Sequence, residues 1–592
     1  MIVLDTESHP NYFLICMRDR NTRRTLQAWI HEKSRGGCPV ADIRTAMSIA
    51  TTYGFNSIGY DLPMIAAFLA GWGPQKLNKL SRMLIDSGKP WWKVCKIAKI
   101  EVPKGWNHID LFETAPGVKI SLKIYGGRMH SRTMQDLPYH FASPLSASEA
   151  EETRVYCEND LALTDDLFDA CAGRLALRES LSERYGVDMR SKSDAQAAEA
   201  IFKADLAKAG IAPQRPDYPA GTTFKYVLPT WLQFKNANMR KVAKAMRTAD
   251  FIVGDSGHVI LPDTLIEPVS IDRTKYQIGI GGLHSIEKSQ MVVPAEDEEL
   301  FEADFASFYP IIIRNERFYP KHIGSIFLKI YSIMIAARLK AKAEGDFFTN
   351  EGLKISLNGS FGKFSSPYSF LYSPDLLINT TLTGQLTLLM LIERVVAAGG
   401  KVMSANTDGI VILCKKAFSS AVREAMDSIE VLSGYVLEET HYSGIYSRDV
   451  NNYIAVKTDG SVKGKGVFAE TGLMKSPAGQ ICYDAVKQFV ADGTPIFQTI
   501  YNCDDIRGFV HVKKVTGGAV HEGKYLGKNV RWYYGRKVAG QIAYVKNGNK
   551  VPASDGAVPV MTLPDKLPTN IDYDRYIQQA FELLGQIGYE RG

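Results

Sequence analysis

Two strand-like apolar stretches, FEADFASFYPIII at 301–313 and VMSANTDGIVILC at 402–414, each carry an aspartate within hydrophobic sequence. In the first, Phe301, Ala303 and Phe305 alternate with Asp304, and the strand runs into Phe308, Tyr309 and Pro310. In the second, apolar strands flank Asn406-Thr407-Asp408-Gly409, which reads as a tight hairpin tip with Gly409 for the φ > 0 position. A carboxylate in an apolar strand is costly unless it is paired or binds a metal. One such acid is an ordinary strand end. Two strands that each present an aspartate at the same edge of a sheet can hold two Mg²⁺ ions, the apparatus of phosphoryl and nucleotidyl transfer.

At 592 residues the chain exceeds one core, and roughly three to five domains are expected. With 45% hydrophobic and 23% charged residues it has the balance of a soluble globular protein. No apolar run reads as a membrane span, and the opening MIVLDTESHP reads as a strand carrying an acid, not as a signal peptide, so no membrane partner is expected. Cys16, Cys38, Cys95, Cys157, Cys171, Cys414, Cys482 and Cys503 are scattered with no C-x-x-C pair. That favours free thiols in a reducing, cytoplasmic compartment over a disulfide frame or zinc site. The net charge of +6 is uneven: residues 507–550 hold ten Lys/Arg, among them Lys528, Arg531 and Arg536, against the single acid Glu522. Trp532, Tyr533 and Tyr534 lie among them. Cations interleaved with aromatics suit a phosphate backbone and exposed bases or sugars; the alternative is a solvated basic face.

Strands and helices alternate through the first 180 residues, with a strand at IVLDT, a strand end and helix in GFNSIGYDLPMIAAFLA, and a long helix over SASEAEETRVYCENDLALTDDLFDAC. Residues 181–265 read as mostly helical, in DAQAAEAIFKADLAKAG and TWLQFKNANMRKVAKAMRTADF, around the loop APQRPDYPAGTT, and suggest no function. Strand character returns at 266–313. Helices are expected at about 325–345 and 349–362 across a GDFFTN turn, then a long amphipathic helix at 376–398, the Asp408 hairpin at 401–414 and a strand pair at 451–467. The remainder reads as helix, basic loops and a last amphipathic helix, DYDRYIQQAFELLGQIG. On the middle pair of helices Arg338 and Lys342 share a face four residues apart, with Lys340 as the competing cation. Lys354, Asn358 and Phe361 share a face at i, i+4, i+7. An antiparallel pair would aim Arg338, Lys342 and Lys354 at one triphosphate.

The N-terminal region holds a second acidic set. Asp5 and Glu7 alternate along the first strand and so share a side. Asn56 and Asp61 flank a helix start, and Tyr156 and Asp160 lie four apart on one helix face. Four carboxylates and a tyrosine suit two metals and a water positioned against a phosphodiester. The alternative is a set of surface acids.

These motifs resemble those of a known family. Residues 304–310, DFASFYP, resemble motif A of family B DNA polymerases (D-x-x-S-L-Y-P). Residues 354–362, KISLNGSFG, resemble motif B (K-x-x-x-N-S-x-Y-G), and residues 404–409, SANTDG, resemble motif C (Y-x-D-T-D-S), in the family's order and spacing. The ordered D-x-E, N-x-x-x-Y-D and Y-x-x-x-D of the N-terminal region resemble the three motifs of DEDD-type 3′–5′ proofreading exonucleases. HIDLFETAPGVKISLKIYGGRMH, 108–130, is similar to the segment such domains carry between the last two motifs. The resemblance implies a multidomain α/β and α+β chain with an RNase H-like exonuclease at 1–180 and a connecting region at 181–265. A polymerase right hand would follow, with palm parts at 266–313 and 363–470, short two-helix fingers with motif B at 314–362, and a basic, DNA-binding thumb at 471–592. It implies replicative, template-directed DNA synthesis from dNTPs on a primer–template, with proofreading, using two Mg²⁺ ions per active site, or Mn²⁺ in their place.

By the same resemblance Asp304, Asp408 and the Phe305 carbonyl are the metal donors for synthesis. Tyr309 would lie under the sugar and leave no room for a 2′-OH, while Arg338, Lys342, Lys354 and Asn358 bind the incoming nucleotide. Asp5, Glu7, Asp61 and Asp160 would hold the exonuclease metals, with Tyr156 catalytic and Asn56 on the DNA. YQIGIGGLHS at 276–285 resembles the Y-x-G-G element, in which Gly281 and Gly282 would let backbone N–H groups approach template phosphates. NNYIAV and VKGKGV resemble the K-x-Y and K-x-K-G elements, so Tyr453, Lys463 and Lys465 would grip the primer end.

Two positions depart from motif C: Asn406 replaces its first aspartate and Gly409 its serine. The family's second aspartate is the essential ligand, so activity is expected to survive with altered metal dependence. The motifs begin only about 50 residues apart, which leaves no room for terminal-protein insertions, and protein priming is not expected. An exonuclease motif at residue 5 implies that the family's usual N-terminal domain is missing. A compact, phage-type monomer is expected, working in a host cytoplasm, with replisome proteins as further partners. Two alternatives stand beside it. Asn406 alone favours a nuclease or repair factor with weak polymerase activity. A non-catalytic DNA-binding factor would have no use for Asp5, Glu7, Asp61, Asp160, Asp304 and Asp408 together.

Overall fold

A computed structural model describes residues 1–117, 119–538 and 540–589. The last three positions of the expected C-terminal unit lie outside the described residues. The chain opens with β1 (Ile2–His9), β2 (Tyr12–Asp19), β3 (Thr25–His31), β4 (Ser34–Gly37), β5 (Thr52–Gly54), α1 (Asp61–Leu69), β6 (His108–Asp110), α2 (Leu122–Arg128) and α3 (Ala147–Ala170). The sheet order is β4-β3-β2-β1-β5-β6, antiparallel through β1 and parallel from β1 to β6. Both faces of β1 are covered. Val3 packs with Tyr53, Cys157 and Leu161 below α3, whereas Leu4 packs with Met64, Ile65 and Phe68 of α1. Period-2 alternation therefore sends Asp5 and Glu7 to the α3 face and Thr6 to the α1 face. Helix α3 starts where Ser146 and Glu149 close a reciprocal capping box.

The middle region is less helical than its sequence suggests. Helix α4 (Asp194–Lys208) starts at a second capping box, Ser193 with Gln196. Three short strands follow, β7 (Thr223–Phe224), β8 (Phe251–Val253) and β9 (Val259–Ile260), with α5 (Ala237–Thr248) between the first two. Helix α5 was expected from Thr230 but begins after Asn236, whose side chain accepts the amides of Asn238 and Met239. Residues 230–236 are extended or turned because Trp231 is drawn to the Glu316 carboxylate, 2.9 Å from its indole nitrogen.

The central body is a ten-stranded sheet: β10 (Val269–Ile271), β11 (Thr274–Gln277), β12 (His284–Ile286), β13 (Gln290–Val292), β14 (Glu298–Phe305), β15 (Lys401–Asn406), β16 (Gly409–Lys415), β17 (Leu437–Asp449), β18 (Asn452–Lys457) and β19 (Val462–Lys465). Its order is β10-β11-β12-β15-β16-β14-β17-β18-β19, with β13 beside β17. The helices are α6 (Phe308–Asn315), α7 (Ile326–Glu344), α8 (Phe347–Phe364), α9 (Pro374–Ala397) and α10 (Ser419–Ser433). Residues 308–313, expected to continue the strand, are helical: Pro310 falls in the first turn of α6, where its missing N–H costs nothing. Helix α9 was expected to be amphipathic, yet 21 of its 24 residues are buried, because α5, α6, α8, α10 and β15 surround it. It is long and apolar enough to pass for a membrane span, which corrects the expectation that no such run exists. One continuous core runs from Leu177 through α4, α5, the α7–α8 pair and α9 to Tyr435.

The basic segment 507–550 is a hairpin, not a set of loops. β20 (His511–His521) and β21 (Lys524–Tyr534) form a sheet with β22 (Ala543–Tyr544) and β23 (Ala557–Pro559), packed against α11 (Tyr573–Gln586) around a separate core. All eight cysteines are free.

Candidate active site

On the central sheet Asp304 of β14 stands opposite Gly409 of β16, and the Phe305 N–H donates to the Asp408 carbonyl at 2.8 Å. The two aspartates thus end adjacent antiparallel strands at one edge. The tip differs from expectation: Thr407 takes the left-handed backbone, φ 57°, and Gly409 does not. Gly409 is needed for space, since a Cβ there would lie 2.8 Å from Asp304 Oδ1. Burial, then the charges of Asp408 and Glu302, push the Asp304 carboxyl up to about 7. Burial in the cleft also raises Asp408.

One cavity is lined by Asp304, Phe305, Asp408, Tyr309, Arg338, Lys342, Lys354, Asn358 and Phe361. Helix α7 supplies the first two cations and α8 supplies Lys354 and Asn358, from facing helices as their registers require. Arg338 donates to the Ser307 hydroxyl, Lys342 pairs with Glu438 at 3.1 Å, and Lys354 pairs with Glu351 of its own helix at 3.2 Å. Lys340 is paired with Glu344 and is absent from the lining. The Tyr309 ring stacks on Phe361 at 4.5 Å between centroids. Its hydroxyl donates to the Gly281 carbonyl at 2.7 Å, and a Cβ on Gly282 would lie 3.2 Å from that hydroxyl. Gly281 and Gly282 thus form a wall that fixes Tyr309.

A second cavity opens on the other side of the same aspartates, with Asn406, Tyr453, Lys463, Lys465, Glu287 and Glu302 in its lining. Lys465 Nζ lies 5.7 Å from the Tyr453 ring centroid. Lys463 is 3.6 Å from Glu302, which also accepts the Tyr442 hydroxyl. The Asn406 amide donates to the Val450 carbonyl and the Asn451 side chain, both at 3.3 Å, and ties the tip to the β17–β18 turn.

The N-terminal set gathers at the end of β1. Asp5, Glu7 and Cys157 have ligand atoms within 4.8 Å of one another. Burial raises both carboxyls well above their ordinary range, and neighbouring acids add to it: Asp61 and Asp160 on Asp5, Asp5 and Asp160 on Glu7. Asp61 approaches from the α1 face and accepts the Thr6 hydroxyl at 2.6 Å; burial pushes it to about 7. Asp160 is ion-paired with Lys123, whose ammonium lies 4.3 Å from the Tyr156 ring centroid. Burial raises the Tyr156 hydroxyl and the Cys157 thiol. Asn56 is exposed with φ 58°, and its backbone N–H donates to the Asp110 carboxylate.

The basic hairpin overturns one assignment. Arg531 is 0% exposed and donates to the carbonyls of Ser131, Arg132, Val560 and Met561, so it is a structural staple and not a phosphate contact. Trp532, Tyr533 and Tyr534 are buried in the C-terminal core and offer no faces to bases. Lys528 and Arg536 are exposed, with Arg536 paired to Asp574 at 3.3 Å. Sequence reasoning missed Lys123, Cys157, Glu302 and Ser307. Glu302 had a signal, because it precedes Asp304 by two residues and so shares its face. Lys123 lay inside the stretch 108–130 but nothing marked it within that stretch.

Both centres offer hard carboxylate oxygens of the kind divalent cations take: Asp304 and Asp408, which line one cavity, and Asp5 and Glu7, which lie beside the Cys157 thiol. Comparison with protein-family models finds no match, and comparison with curated proteins finds none. Among solved structures, the family B DNA polymerase from the hyperthermophilic archaeon Pyrobaculum calidifontis aligns with a TM-score of 0.45 and 14% identity, over 100% of this chain and 78% of the other.

Proposed function

We propose that the chain is a DNA-directed DNA polymerase of the family B kind that extends a primer on a template and removes 3′-terminal nucleotides at a second, N-terminal centre. The observation that carries this is the arrangement of Asp304 and Asp408 at the rim of a cavity whose other wall is Arg338, Lys342 and Lys354. Asp304 and Asp408, with the Phe305 carbonyl, would hold Mg²⁺; when bound, the ions supply activation of the primer hydroxyl and neutralisation of the leaving pyrophosphate. Arg338, Lys342 and Lys354 offer three cations to the triphosphate. Lys342 and Lys354 exchange carboxylate partners for phosphate oxygens, and Arg338 exchanges a hydroxyl. Tyr309, clamped by Phe361 and Gly281, closes the floor against a 2′-OH. Tyr453, Lys463 and Lys465, on the far side of the aspartates, hold the primer end. At the N-terminal centre Asp5, Glu7, Asp61 and Asp160 would hold Mg²⁺. Lys123 keeps Asp160 and Tyr156 in place there.

The test is a primer-extension gel run with and without dNTPs. The proposal expects longer products with dNTPs and shortened primers without them. Shortening under both conditions would reduce the chain to a nuclease, and no change under either would make it a binding protein.

A further inference from the structure

Helix α5 lies in the region for which the sequence suggests no role. From residue 218 to 249 the chain has six Lys/Arg and no Asp or Glu. Lys225 is paired with Asp250, and Arg240 donates to the Phe234 and Lys235 carbonyls. Lys241, Lys244 and Arg247 recur at three-residue steps, are exposed, and have no carboxylate partner among the described residues. Beside them a groove is lined by Lys241, Val242 and Ala245 of α5 together with Leu265, Glu267 and Ile278. Met239, Ala243 and Met246 anchor α5 in the core, and Met239 also borders the groove.

This row is not remote from the nucleotide cavity. Glu393 of α9 accepts the amides of Lys235 and Asn236 at the start of α5, at 3.0 and 2.5 Å. Eight residues earlier on α9, Gln385 exchanges hydrogen bonds with Gly279, in the turn whose Gly281 fixes Tyr309. At 1.5 Å per residue the two anchor points are about 12 Å apart, a few nucleotides of strand. Resting on the polymerase reading, we infer that α5 and its groove bind the single-stranded template as it approaches the active site. Unpartnered cations complement phosphates, and the partly exposed Val242 and Ala245 beside them offer apolar contact to bases that a duplex would hide.

The test measures affinity by fluorescence anisotropy for primer–templates with equal duplexes and either a short or a long 5′ template overhang. The proteins compared are the full chain and its K241A/K244A/R247A variant. Thermal melting checks that the variant is folded, and Arg240→Ala, which removes a cation already engaged with carbonyls, is the control. In the unsubstituted chain the long overhang should bind more tightly. The variant should lose about tenfold of that affinity and about 2 units of salt slope, at about 0.7 per phosphate contact, while the short-overhang complex is unchanged. No effect of overhang length, no loss in the variant, or an equal loss on both substrates overturns the inference; an acidic protein partner would produce the first of these. Extension of the short-overhang substrate in the same samples separates the two claims. Extension without an overhang effect sinks the α5 site alone, and absent extension sinks the polymerase reading.

Discussion

Asp408 and Asn406 sit two residues apart on one hairpin tip with different work. Asp408 shares the strand edge with Asp304, whereas the Asn406 amide is spent on the Val450 carbonyl and Asn451. Asp408→Asn should lower single-turnover incorporation by about a thousandfold or more, because a bridging charge is worth several kcal/mol. Asn406→Ala should cost less than about tenfold, the value of a hydrogen bond near 1 kcal/mol. Equal loss in both would move the metal site toward Asn406. Asp304 also sets a pH dependence. Its folded pKa, about 7, lies above the unfolded value of about 3.9, so this group favours folding below the unfolded value. That contribution is lost as pH rises to about 7. Without divalent ions, Asp304→Asn should therefore raise the melting temperature more at pH 8 than at pH 5. A shift independent of pH would mean the carboxylate is not desolvated. On the proposed reading Tyr309 sets sugar choice: Tyr309→Ala should raise the ratio of ribo- to deoxynucleotide incorporation by orders of magnitude, since each 1.4 kcal/mol of lost clash is tenfold. An unchanged ratio would leave the ring as packing between Phe308 and Phe361.

At the scale of elements, the basic hairpin β20–β21 carries the clearest revision. Arg531→Met should destabilise the chain by about 1–3 kcal/mol, because it strips a donor from the carbonyls of Ser131, Arg132, Val560 and Met561, the Ser131 and Val560 contacts being buried. It should leave the salt dependence of DNA binding unaltered, as measured by urea unfolding beside an anisotropy titration. A flattened salt slope with unchanged stability would return Arg531 to the DNA. The sequence hid this element for a physical reason. Its buried positions, Val512, Val515 and Ala519, skip the two-residue period because the pairing with β21 shifts register between Lys514 and Ala519. Where period and partner agree, elements were legible: the Asp304 strand, the Asp408 hairpin and the α7–α8 pair fall where their apolar spacing puts them. β17 escaped because most of its side chains stay at least partly exposed, so its residues LEETHYSGIYSRD carry no apolar stripe. Side-chain direction at a helix cap, as at Asn236, and tertiary burial around α9 are likewise invisible to a single strand of text.

For the whole molecule, the two acidic centres belong to different sheets with different cores. The six-stranded sheet holds Asp5 and Glu7, and the ten-stranded sheet holds Asp304 and Asp408. The N-terminal unit is joined to the C-terminal one through Arg531 and through the Asp136 carboxylate, which accepts the Lys528 amide at 2.7 Å. Neither joint passes through the Asp304–Asp408 edge, so the two proposed activities should separate cleanly by mutation. The decisive measurement compares the double variant Asp5→Ala with Glu7→Ala against Asp408→Asn, each assayed for shortening of single-stranded 3′ ends and for primer extension. The double variant should extend primers at nearly the unsubstituted rate but no longer shorten them, and Asp408→Asn should do the reverse. Loss of both activities together in either protein would contradict that separation.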